Sequence, residues 1–433
     1  MLKLKKFLSI ITMFLICAIT TFAQNYKTIS LNDVIKLKNE KDVIVIDSRI
    51  GDAFNGWALD GMSKGGHIEG ATDFAYNWVS ADAKDKEEIL NKTLSSKGIT
   101  KDKKVIIYDA NGKDAKIVAD YLSSKGIANI SLFDIKEWDK ANKPLISYAG
   151  YKMIAPAKII ADKIKNEKDV MVFEVAWGEE KNDEDYVKGH LPGAVHINTD
   201  EIEFPPLWSI VSDDKLIQFA KNNGITKDSK VVLYSTNPMP SYRIAAILQY
   251  LGVAEVTVLN GGLPAWKREN LALETKSNPK KPVASYGADK PLNPELIVGI
   301  DRAKSAIANK SKEILVDIRS WDEHIGKITG YSDLKYKGRP TGALWGEAGS
   351  DPNQLEAYRN IDNTLKNGEE VIARWKELGI DINKRLTFFC GSGWRAAEVL
   401  VYARVIGVKD AALYSNGWYE WSDNPKNPVT IGE

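Results

Sequence analysis

The chain holds two cysteines, Cys17 and Cys390, and the second stands in a setting suited to sulfur chemistry. It follows the apolar run Leu386-Thr387-Phe388-Phe389 and opens the segment Cys390-Gly391-Ser392-Gly393-Trp394-Arg395, after which a helical pattern runs from Ala396 to Ile406. A strand that delivers a thiol to a helix start puts it among unpaired backbone N–H groups at the positive end of the helix dipole, which favours an anion. Gly391 and Gly393 allow the positive φ values that turn successive N–H groups inward as an anion-binding nest. Ser392 offers a hydroxyl donor and Arg395 a positive charge for an incoming anion, and Trp394 between them is a further candidate substrate-binding residue. A thiolate so held transfers a group by double displacement and needs neither a metal nor an organic cofactor. The four histidines are scattered along the chain and give no metal-ligand spacing.

The elements that must position this loop occur three times. Lys38-Asn39-Glu40-Lys41-Asp42-Val43 returns residue for residue as Lys165-Asn166-Glu167-Lys168-Asp169-Val170. Each copy leads into a β-branched run ending on a carboxylate, Val43 to Asp47 and Val170 to Glu174, with a third from Ile314 to Asp317. Second strands are predicted at 105–108, 231–234 and 386–389, helices at 115–124, 243–251 and 396–406 ending near Gly126, Gly252 and Gly407, and further strands at 130–133, 256–259 and 411–414. Alternating strands and helices predict α/β domains, each a mostly parallel sheet flanked by helices. The repeat is too long for a solenoid, so each copy is expected to own its core. Residues 275–294, rich in Pro, Lys, Ser and Asn, read as a linker, and 141–156 as a less distinct one. The expected domains are 25–145, 152–275 and 295–433.

Gly189-His190-Leu191-Pro192-Gly193-Ala194 and Gly66-His67-Ile68-Glu69-Gly70-Ala71 resemble the G-H-I-P-G-A signature of the rhodanese family, and Asn260-Gly261-Gly262-Leu263-Pro264-Ala265-Trp266 resembles its second signature. Copy three carries Asn416-Gly417-Trp418-Tyr419-Glu420-Trp421 and, in place of the first signature, Gly338-Arg339-Pro340-Thr341-Gly342-Ala343. Aligning the copies sets Asp109, Ser235 and Cys390 at the position that is the nucleophile in rhodaneses, so the resemblance implies that the first two domains are inactive and the third is catalytic. It further implies a sulfurtransferase that takes sulfane sulfur from a small anionic donor, thiosulfate or 3-mercaptopyruvate, holds it as a persulfide on Cys390 and gives it to cyanide or a thiol. The loop is similar to the C-G-S-G-V-T loop of mercaptopyruvate sulfurtransferases but ends in Trp394-Arg395. The arginine that those enzymes place shortly after their D-x-R is missing, and thiosulfate is therefore the favoured donor.

Arg319, in Asp317-Ile318-Arg319, and Arg339 are further candidate cations for the donor. The same D-x-R pattern occurs as Asp47-Ser48-Arg49, and a structural ion pair is the competing reading. His67 and His190 are read as turn-bonding residues, and Trp418 and Trp421 as core residues before pocket walls. Cysteine phosphatases and arsenate reductases of related topology use C-x5-R, whereas the spacing here is Cys390-x4-Arg395, a smaller cradle that suits a sulfur atom. A sulfur carrier that never turns over a small donor is the alternative of a different class.

With 59 basic and 58 acidic residues the net charge is +1, and nothing marks a nucleic-acid partner. Lys3, Lys5 and Lys6 precede an apolar run from Phe7 to Ile19, and Thr21-Phe22-Ala23 ends in a small residue. That order predicts a secretory signal over 1–23 and an exported protein, periplasmic or extracellular. The run is shorter than the roughly 20 residues that span a bilayer, so no stable membrane insertion is expected after cleavage. Cys17 falls inside this signal, which would leave Cys390 as the one thiol.

Overall fold

The computed structural model describes residues 25–205 and 208–433; the expected signal and Cys17 lie outside them. Each copy is built on a five-stranded sheet whose pairings are all parallel, with strands in the spatial order first, fifth, fourth, second, third. The central strands are Lys104–Asp109, Lys230–Tyr234 and Arg385–Phe389, and the carboxylate-ended runs Val43–Asp47, Val170–Ala176 and Glu313–Asp317 lie beside them. Helices cover both faces of such sheets, which is why these strands read as continuous apolar runs.

Register fixes the three-way correspondence. Asp47 pairs with Tyr108, Glu174 with Tyr234 and Asp317 with Phe389, so Asp109, Ser235 and Cys390 leave their sheets at one equivalent point. The following helices are Asp114–Ser124, Met239–Leu251 and Trp394–Ile406. The last two begin earlier than the apolar pattern predicts, because Pro240 sits in the first turn of one and Trp394 and Arg395 already belong to the other. Both end on a left-handed glycine, Gly252 or Gly407, as expected for a helix stop.

The expectation of one core per copy fails between copies two and three. One buried cluster runs from Phe173, Leu233 and Leu248 through Tyr242 and Leu400 to Val316 and Phe388. Helices Met239–Leu251 and Trp394–Ile406 pack together at its centre, where the rings of Tyr242 and Tyr402 meet edge to face at 4.9 Å. Asn260, the first residue of the second signature, links all three copies. Its Nδ2 donates to Asp52 Oδ1 of copy one at 3.0 Å, and its Oδ1 accepts from the Leu365 N–H of copy three at 3.0 Å.

A shared core predicts shared unfolding. Leu400→Ala should cost roughly 2–5 kcal/mol and lower the melting of copies two and three together, read by calorimetry with limited proteolysis of each copy. Separate transitions, with copy two unmoved, would contradict a continuous core.

Candidate active site

Cys390 is fully buried at the end of the central strand of copy three, and the Gly393 N–H donates to its Sγ at 3.2 Å. Gly393 has φ +88°, and an added Cβ would stand 2.4 Å from the Ser415 carbonyl oxygen, so no other residue fits. The second signature serves this loop directly. The N–H groups of Trp418 and Tyr419, at the start of helix Gly417–Asp423, donate to the carbonyls of Cys390 and Gly391 at 2.8 and 3.1 Å. Gly417 makes that approach possible, since a Cβ there would lie 2.3 Å from the Cys390 carbonyl oxygen. Copies one and two fill the equivalent point with oxygen. Asp109 Oδ2 accepts from the Ala115 N–H at 3.0 Å, and Ser235 Oγ accepts from the Ser241 N–H at 3.0 Å.

Arg395 is not a free cation. Both its terminal nitrogens donate to Glu323, at 2.8 and 2.9 Å, and both side chains are fully buried. Burial alone would push the Glu323 carboxyl up, but Arg395 outweighs it and holds the group below the usual carboxylate range. Glu323 also closes a capping box with Ser320, so the ion pair ties the loop helix to helix Trp321–His324. The expectation that Arg395 meets the donor is therefore corrected: the guanidinium neutralises a buried carboxylate and braces the loop.

Arg319 and Arg339 are likewise committed elsewhere. Arg319 grips both oxygens of Asp317 at 2.8 and 2.7 Å, donates to the Gly338 carbonyl at 2.9 Å and lies over the Trp418 ring. Arg49 and Asp47 repeat this arrangement in copy one. Arg339 donates to the carbonyls of His324 and Gly432. In copy two His196 replaces the arginine, with Nδ1 2.7 Å from Glu174 and Nε2 2.9 Å from the Gly178 carbonyl. Asp183 lies close enough to these two to suggest a metal-binding group, yet both imidazole nitrogens already have partners. His67 and His190 bond to backbone carbonyls through Nδ1, and Trp418 and Trp421 are core residues.

What the sequence reading missed comes largely from copy two. A cleft of about 1030 Å³ opens between copies two and three, and Ser392 and Trp394 are its contribution from the loop. Trp177, 53% exposed, meets the Trp394 ring at 5.3 Å. Tyr331 lies over Gly391, where an added Cβ would be 2.4 Å from its ring. Carboxylates of Asp200, Glu203, Asp333 and Asp351 also line the cleft, and among its described lining residues none is Lys or Arg. Arg243 of copy two reaches the loop from behind: fully buried, it donates to the Gly393 carbonyl at 3.3 Å and to Ser415 Oγ at 3.0 Å. A capping signal, Ser320-x-x-Glu323, could have revealed a carboxylate near the loop; nothing local marks Arg243.

A thiol at the carboxyl end of a parallel sheet, at a strand-to-helix point that recurs in all three copies, defines a sulfurtransferase of the rhodanese class; of the two loop glycines only Gly393 takes the positive φ expected of a nest, and among the described residues its N–H alone donates to the sulfur. The chain belongs to the rhodanese-like domain family, whose model matches residues 30–141, 158–269 and 300–424. It is 34% identical over 429 residues to the thiosulfate sulfurtransferase YnjE of Escherichia coli (strain K12), covering 97% of this chain and 95% of the relative. The 3-mercaptopyruvate sulfurtransferase of the same strain is 27% identical over 253 residues, 57% of this chain and 86% of that protein. Among solved structures, the anaerobic ergothioneine biosynthesis enzyme from Chlorobium limicola, in complex with its natural substrate trimethyl histidine, is similar with a TM-score of 0.87 at 30% identity, over 94% of this chain and 100% of that one. EanB with ergothioneine covalently linked with a cysteine persulfide gives a TM-score of 0.88 at 30% identity, over 94% of this chain and 100% of that one.

Two substitutions separate the roles of the loop residues. Cys390→Ser should abolish sulfur transfer while the melting temperature stays near wild type, because a serine hydroxyl carries no persulfide. Arg395→Ala should cost roughly 3–5 kcal/mol in urea denaturation, since it strands Glu323 in the core, and adding Glu323→Gln should recover part of the loss. An Arg395→Ala protein of full stability with a weakened donor interaction would restore the substrate-binding role.

Proposed function

We propose that Cys390 accepts sulfane sulfur from a donor such as thiosulfate, carries it as a persulfide and passes it to an organic cation bound in the cleft between copies two and three. The observation that carries this reading is the lining of the cleft, aromatic and acidic with no basic side chain among its described residues. Tryptophan and tyrosine faces attract organic cations, and the carboxylates of Asp200, Asp333 and Asp351 at the cleft surface strengthen that preference. 3-Mercaptopyruvate is disfavoured as donor, because its carboxylate calls for a forked cation and Arg319, Arg339 and Arg395 are all occupied. Cyanide and simple thiols serve as small acceptors that bypass the cleft's selectivity.

Spacing supports the same acceptor class. In EanB the persulfide cysteine follows by 59 residues the tyrosine replaced in the ergothioneine complex, and precedes by two the threonine replaced in hercynine complexes. The same intervals lead from Cys390 back to Tyr331, which lies over the loop, and on to Ser392. Export through the signal over 1–23 is part of the proposal, and the intact mass of the native protein should lack those residues.

Protein loaded with thiosulfate and freed of donor should transfer one sulfur to trimethyl histidine, read by mass spectrometry of the small molecule. Transfer to cyanide but none to trimethyl histidine would remove the cationic acceptor and leave the persulfide. With thiosulfate the acidic cleft repels the donor, so kcat/KM should rise as ionic strength goes from about 0.01 to 0.15 M. A fall over that range would mean that a free cation faces the donor after all.

A further inference from the structure

Copy two has no nucleophile, yet it holds the buried charges nearest the catalytic loop outside copy three. Arg243 stands on helix Met239–Leu251, every residue of which is buried, and its guanidinium crosses into copy three. One terminal nitrogen holds the carbonyl of Gly393, the residue whose N–H donates to Cys390 Sγ. An added Cβ at Gly393 would lie 2.7 Å from that nitrogen, so the glycine and the arginine fit one another. The guanidinium also lies 5.7 Å from the Trp394 ring centre, and its Nε has no hydrogen-bond partner.

The counterpart is Glu203. Its carboxyl is 5% exposed and lines the cleft, with Oε1 accepting from Trp394 Nε1 at 2.9 Å. Oε2 has no hydrogen-bond partner and lies 3.6 Å from Arg243 Nη2. A buried carboxylate oxygen left unsatisfied at a cleft wall is costly unless it takes a proton or a ligand group. Burial pushes this carboxyl up to about 7 against the pull of Arg243 and Trp394. Asp200 is the other acid that faces it, while Arg395 and Tyr331 face Cys390 from the far side of the loop.

We propose that Arg243 is a positioning residue shared by two acids, the Cys390 thiol and the Glu203 carboxyl, and that Glu203 takes the proton the acceptor gives up when sulfur is transferred. This rests on the persulfide reading of Cys390. One guanidinium lies beside both groups, so the proton on Glu203 decides how fully Arg243 is free to face the Cys390 sulfur. In the transfer step the acceptor's nucleophilic atom bonds to the outer sulfur, the S–S bond breaks and its electron pair stays on Cys390. The acceptor's proton goes to the Glu203 carboxylate, and Arg243 then faces the new thiolate. No oxidant or reductant enters, because the sulfane sulfur keeps its oxidation level.

The test is the alkylation of Cys390 by iodoacetamide as a function of pH in the full-length protein, followed by mass spectrometry of the Cys390 peptide, beside turnover from thiosulfate to cyanide and to trimethyl histidine. Arg243→Met should slow alkylation at pH 7 about tenfold, the loss of thiolate expected when a neighbouring cation is removed, and Arg243→Lys should restore most of it. Glu203→Gln should have the opposite sign, with faster alkylation at pH 7 because Arg243 is no longer shared, and yet turnover to an acceptor that must lose a proton in the site, such as trimethyl histidine giving up a C–H proton, should slow about tenfold. Cyanide loses its proton to bulk water at alkaline pH and gives none up in the site, so the ratio of trimethyl histidine turnover to cyanide turnover should fall about tenfold. Should Arg243→Met fail to fold, the Glu203→Gln and Arg243→Lys profiles carry the test. Alkylation profiles equal to wild type in Arg243→Met, or a Glu203→Gln protein slowed equally with trimethyl histidine and cyanide, would overturn the proposal. Failure of the persulfide reading is seen separately, as sulfur transfer that survives in Cys390→Ser.

Discussion

The pairing of helix Met239–Leu251 with helix Trp394–Ile406 is the contact on which the rest of the molecule depends. Neither helix has an exposed face to spend on water. The first is buried at every position, and the second is buried at all but Arg404 and Ile406. A helix apolar all round must be enclosed on every side, and two such helices can satisfy one another only by placing their sheets back to back. Each also starts at the end of a central strand, so packing the helices brings the two strand ends and their loops together. The cleft, the aromatic pair Trp177 and Trp394, and the reach of Arg243 to Gly393 all follow from that one contact.

Duplication explains why the cleft is asymmetric. All three copies use the same device at the strand end, a polar group accepting from an N–H of the following loop or helix, filled by Asp109, Ser235 or Cys390. A carboxylate occupies the anion site permanently and a hydroxyl occupies it without charge. Only sulfur can form and break a bond to a second sulfur there. With Ser235 in place of a thiol, copy two presents its loop and the strand around Glu203 as the opposite wall for copy three, and its helix carries the Arg243 cation to the loop.

Much of this was legible in the residues. The order of strands and helices and the equivalence of Asp109, Ser235 and Cys390 were readable, because buried parallel strands and glycine helix stops leave strong local patterns. What sequence reading got wrong were charges. Arg395 was placed in the loop correctly, but its partner Glu323 is 72 residues away, and a sequence shows where a cation is, not which anion meets it. For Arg319 the sequence left substrate binding and a structural ion pair open, and Asp317 occupies its fork. Arg243 lies 150 residues from the glycine it touches and on a helix that seemed to belong to a self-contained domain. The mistake of giving each copy its own core was also what hid the cleft.

Net charge misled in the same way. A chain with 59 basic and 58 acidic residues has almost no overall field, but binding is decided by the local potential, and here the two signs are sorted by depth. The arginines nearest the loop are buried and neutralised one to one by Asp317 and Glu323, or shared as Arg243 is, while Asp200, Asp333 and Asp351 remain at the cleft surface. The loop N–H groups therefore offer a small anion site at the bottom of a region that repels anions and attracts organic cations. Such an arrangement favours a persulfide once formed, since the backbone holds its charge, and it favours an acceptor that arrives as a cation. It slows any second anionic donor that would compete for the same opening. On the proposed reading, donor and acceptor are separated by charge within one cleft, without separate sites.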